Sequence, residues 1–128
     1  MKLDIECVRD VLIYIEENLE YNSTLTLSSI YDELAPRYQK NQIDYTCIKL
    51  LEGNYMNLIT KNVEGKVLPL AVSSLTFDGH QFLEKIRNPK VWNPTKRFAK
   101  NLGSISIQTL SQISSDIIAK MITQNMNG

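Results

Sequence analysis

One histidine, one tryptophan and two cysteines are all that this 128-residue chain offers of those residue types. A structural zinc needs four ligands at short, regular spacings, and Cys7, Cys47 and His80 make no such pattern. A nucleophile elbow of the Gly-x-Ser-x-Gly kind, a phosphate-binding loop and a metal-binding motif are also missing. Catalytic residues and cofactors are therefore not expected, and the chain reads as a non-enzyme. No stretch approaches the roughly 18 apolar residues of a membrane span. The opening "MKLDIECVRD" mixes charges among apolar residues, unlike a signal peptide. The expected setting is the cytoplasm, away from membranes, with both thiols buried and reduced.

What is present suits one domain. Hydrophobic residues make up 43% of the chain, enough for a core without disulfides or metal at a length of about 100–150 residues. Lys+Arg and Asp+Glu balance at 14 each, but unevenly. Residues 1–64 hold 6 basic and 11 acidic side chains, residues 65–128 hold 8 and 3. An anionic partner should prefer the C-terminal half.

Apolar periodicity gives the elements. Val8, Val11, Leu12, Ile15 and Leu19 form a helical stripe behind an Asp4 cap, with Glu6, Arg9, Asp10, Glu16 and Glu17 on the opposite, solvated face. "TLTLS" at 24–28 predicts a small strand, and Ser28 or Ser29 a cap for a short helix ended by Pro36. A third helix, capped by Asn41 and closed by Gly53, carries Ile43, Cys47, Leu50 and Leu51 inward. Its outward side is read as Gln42, Tyr45, Thr46, Lys49 and Glu52. Two strand-like runs then flank "EGK", where Gly65 supplies a hairpin turn. Pro69 lacks an N–H, which predicts an edge strand. The expected fold is mainly α with a small β-hairpin. It is a winged helix-turn-helix core with the following helix over residues 1–88, and a C-terminal helical extension of the same domain over 89–128.

The stretch "SLTFDGHQFLEKIR", residues 74–87, predicts a helix capped by Thr76, with Phe77, Phe82, Leu83 and Ile86 on its apolar face. Gly79 permits close approach of another backbone. His80 stands one turn before Glu84 and reads as structural or superficial. Pro94 is expected to kink or restart the next helix. Lys90, Lys96, Arg97 and Lys100 crowd that segment with Trp92 and Phe98 between them. This pattern describes either a second basic, nucleic-acid-binding patch or a helix whose rings face the core. Ser104 opens the last helix, whose stripe of Ile107, Leu110, Ile113, Ile117 and Met121 either covers the domain's own core or pairs with a second subunit, and a homodimer seam is the expectation.

The segments "MKLDIECVRDVLIYIEEN", "IDYTCIKLLEGN" and "LTFDGHQFLEKIRNPKVW" resemble a winged-helix family catalogued as a domain of unknown function. That family is common in phages, prophages and bacterial genomes. The resemblance extends to the "LGSISIQTLSQI" tail and is most specific from Leu75 to Arg87. It implies a fold and a genomic setting, and no activity. The leading expectation is a phage or prophage regulator that binds double-stranded DNA. Gln42, Tyr45, Thr46 and Lys49 of the third helix would enter the major groove, and Lys61 and Lys66 would touch the backbone. The rival is a protein-interaction module, such as an anti-defence factor that binds a host protein.

Overall fold

The computed structural model describes residues 1–127. Helix α1 (Ile5–Asn18) is followed by β1 (Leu25–Thr26), α2 (Leu27–Leu34), α3 (Lys40–Glu52), β2 (Met56–Val63) and β3 (Lys66–Leu75). Three helices complete the chain: α4 (Phe77–Arg87), α5 (Pro89–Leu102) and α6 (Ile107–Asn127). The protein is mainly helical, with a small three-stranded antiparallel sheet ordered β1-β3-β2.

Local chemistry explains most boundaries. Asp4 accepts from the Glu6 and Cys7 amides at 3.0 and 3.2 Å, satisfying donors that the first turn of α1 leaves free. Thr76 caps α4 through the Gly79 amide at 3.0 Å. Three expected caps are displaced. Thr26 rather than Ser28 or Ser29 caps α2, because β1 runs straight into a helix whose first residue, Leu27, is buried. α3 starts at Lys40, after Gln39, with no side-chain cap bond, so Asn41 lies inside the first turn. α6 starts at Ile107, where Ser106 Oγ takes the Thr109 amide at 3.1 Å; Ser104 stays in the connection.

Pro94 does not restart α5, which is helical from Pro89 to Leu102. Its missing N–H removes one helical bond, and the buried Val91, Trp92 and Thr95 hold that turn against the body. Pro69 is likewise misread as marking an edge strand, since β3 is the central strand. The explanation is the shortness of β1, which pairs only with Ala71 and Val72. Pro69 therefore lies beyond its reach, and on that side no ladder bond is lost.

Cys7, Val8, Val11, Leu12 and Ile15 of α1 meet Ile30, Ile43, Cys47 and Leu50 in a single buried cluster. Phe82, Leu83 and Ile86 of α4 join it, as do Trp92 and Ala99 of α5 and Ile107, Leu110 and Ile113 of α6. Phe77 does not, being 77% exposed. At about 100° per residue it falls on the far side of α4 from Phe82 and Ile86. Gly79 carries the tightest backbone approach: a Cβ there would stand 1.9 Å from the Tyr55 carbonyl oxygen. That contact seats α4 on the junction between α3 and β2.

Candidate nucleic-acid interface

α3 engages several of its polar residues in contacts within the molecule, although only Thr46 among them is buried. Thr46 is fully buried, its hydroxyl 2.8 Å from the Gln42 carbonyl oxygen and 3.4 Å from the Cys7 sulfur. It cannot read a base, and its assignment to the outward face is corrected. At one turn from Gln42 and Leu50 it falls between the polar and apolar rows, and a threonine is small enough to be drawn in. The Gln42 amide donates to the Lys2 carbonyl at 3.4 Å. Asp44 receives the Tyr31 hydroxyl, and burial holds its carboxyl above the usual aspartate range. Lys49 Nζ sits 3.0 Å from Glu52 Oε2 and 5.4 Å from the Tyr45 ring centroid. Tyr45, Lys49 and Glu52 in turn form one wall of a cleft of about 500 Å³, and Ser104, Ile105 and Gln108 form another. The chain's own C-terminal connection thus flanks α3.

The hairpin is built differently. Gly65 and Glu64 take positive φ values of 79° and 52° at its tip. Register pairs Lys61 with Leu68 and Val63 with Lys66. Side chains alternate along a strand, so both lysines share one face with Val63 and Leu68. Both are exposed, and no carboxylate among the described residues lies in ion-pair range of either. Ile59, Val63, Val67, Leu68 and Leu70 are also exposed, by 38 to 53%. This apolar exposure was not read from the sequence, where alternation alone suggested ordinary strands.

On α5 the two rings part company. Trp92 is buried, with the Arg9 guanidinium 5.6 Å from its centroid, whereas Phe98 is 58% exposed. Lys96 pairs with Glu6 at 3.1 Å. Lys90, Arg97 and Lys100 are exposed and have no ion-pair partner among the described residues. The expected dimer seam on α6 is corrected in its first half. Ile107, Leu110 and Ile113 are buried in the chain's own core, while Ile117 and Met121 are half-buried.

The charged face of α1, expected to be solvated, instead bridges to its neighbours. Arg9 donates to the last carbonyls of α4, Ile86 at 2.9 Å and Arg87 at 2.7 Å, where the negative end of the helix dipole favours a cation. Glu16 pairs with Arg87 and approaches His80 Nδ1 at 3.8 Å. Asp10 takes the Arg37 guanidinium at 3.0 Å and the Tyr38 hydroxyl at 2.7 Å. The sequence signal was present as complementary charge on α1 and α4, but spacing within one helix says nothing of partners on another. His80 is exposed, and its carboxylate neighbour is Glu16, not Glu84.

Burial pushes the Cys7 thiol up to about 11 and raises Cys47 further, so both stay protonated and unreactive. No group of three or more His, Cys, Asp or Glu among the described residues could hold a metal ion. No helix among them is long and apolar enough to cross a membrane.

The comparisons place this mainly helical fold, with its small antiparallel sheet, in a family. The model described as "Hypothetical protein (DUF2513)" matches residues 2–106, and the chain belongs to that family. The chain is also similar to a Haemophilus influenzae protein titled "Uncharacterized protein". The two are 27% identical over 134 residues, which cover 95% of this chain and 99% of the relative. No solved structure matches the chain.

Proposed function

We propose that the protein is a non-enzymatic winged-helix protein that binds double-stranded DNA, a regulator of the kind found in phages and prophages. The helix–strand–helix–helix–hairpin order, with β3 lying between β1 and β2, supports the winged-helix reading. The observation that carries DNA binding is the pair Lys61 and Lys66, exposed on one hairpin face and without a carboxylate partner among the described residues. Phosphate contacts of this kind supply most non-specific affinity, through counterion release. α3 contributes Tyr45 and the exposed edge beside it, with Lys49 held by Glu52. The test is titration of a labelled random duplex at low salt. Saturable binding that weakens steeply as salt rises supports the proposal, and absence of binding at about 50 mM salt defeats it.

A second reading is favoured by a separate observation. Val63, Leu68 and their apolar neighbours on the hairpin make a surface of the kind that marks protein docking. A partner protein, such as a host factor, would bury them. In that case Leu68→Ser abolishes the interaction, while duplex DNA is not bound at all.

A further inference from the structure

α6 changes character along its length. Ile107, Leu110, Ile113 and Ser114 are buried, whereas residues 119–126 are exposed apart from the half-buried Met121. Ile113, Asp116, Ile117 and Lys120 follow the three- and four-residue steps of one helix face. With Phe98 of α5 they line a shallow groove of about 110 Å³. Asp116 and Lys120 are the only charged side chains in α6. They stand at the spacing where an intrahelical ion pair commonly forms, yet Asp116 accepts from Gln112 at 3.0 Å and does not pair with Lys120.

We infer that this face packs against α6 of a second copy of the chain, antiparallel about a two-fold axis at the height of Ile118, the shallow groove taking a side chain from the partner helix. An axis there is equidistant from the two charges. It sets each Asp116 opposite the partner's Lys120, and does so twice in the dimer. The exposed Phe98 rings and the half-buried Ile117 and Met121 fall within the covered area. A two-fold interface must be complementary to itself. One acid and one base placed symmetrically about an apolar centre meet that condition. A strongly acidic or basic partner of another kind would set one of the two charges against its like. The inference stands apart from the DNA reading, since it rests on α5 and α6 alone.

Sedimentation equilibrium over about 5–200 µM protein tests it. Asp116→Lys places like charges across the seam at two points and is expected to weaken dimerisation about tenfold or more, as is Lys120→Asp. The double variant, Asp116→Lys with Lys120→Asp, restores the opposed pairs and returns the constant to the wild-type value. Phe98→Ser, at an exposed position that the fold does not need, weakens association without altering charge. A wild-type chain that is monomeric at the top of the range overturns the inference. A dimer indifferent to the single variants, or a double variant no tighter than the singles, overturns it equally, because the interface then lies elsewhere.

Discussion

α3 and the hairpin that follows it are adjacent in sequence and opposite in how they use polar residues. α3 turns Thr46 inward, bonds Gln42 to the N-terminal segment and neutralises Lys49 with Glu52. The hairpin leaves Lys61 and Lys66 without an ion-pair partner among the described residues and exposes Val63 and Leu68 beside them. A helix packed on one side by α1 and flanked on another by residues 104–108, the connection to α6 and its first residues, has few directions left in which to meet a partner. A two-stranded arm that stands clear of the core has many. On the proposed DNA-binding reading, recognition follows projection from the body, rather than the number of polar residues that an element carries.

Substitutions can break or sharpen that contrast. The largest effect is expected at the base that both regions share. Gly79→Ala forces a methyl to within 1.9 Å of the Tyr55 carbonyl oxygen. Because that atom is backbone, the strain should cost about 3 kcal/mol, measured by chemical denaturation. Leu110→Ala, in the fully buried half of α6, should cost about 2–3 kcal/mol and leave association between chains unchanged. A change in association would return that half of α6 to a dimer seam. Thr46→Val keeps the shape of the side chain and removes its hydroxyl from the Gln42 carbonyl. A loss of about 1 kcal/mol in stability with unaltered DNA affinity is expected, and weakened DNA binding by a still-folded variant would restore Thr46 to the interface.

Much of the fold was legible because single residues met single physical demands. Asp4 and Thr76 stand where free helical amides need an acceptor, Gly65 where the turn takes a positive φ, and Gly79 where a Cβ would meet the Tyr55 carbonyl oxygen. Other caps were ambiguous because several residues could serve. Ser28, Ser29 and Thr26 lie together, and only the burial of Leu27 selects Thr26. The candidate site was less legible, since a stripe announces that a face is covered without naming what covers it. Ile107, Leu110 and Ile113 could meet a second chain or their own, and they meet Trp92 and Ala99 in the chain's own core cluster. Pro69 announced a missing donor and was consistent with two strand positions, because the length of β1 is fixed by packing and not by its sequence alone. The ion pairs linking α1 to α4 and α5 depend on tertiary geometry, so charge patterning within α1 could not reveal them.

The salt dependence of duplex binding separates hairpin from helix most directly. For each lysine that contacts a phosphate, the slope of log K against log salt falls by about 0.9 when that lysine is neutralised. Lys61→Gln with Lys66→Gln should therefore reduce the slope by about 2 relative to wild type, while Lys49→Gln should leave it within error. The contrary result is a slope that follows Lys49 and ignores the hairpin pair, which would place the phosphate contacts on α3.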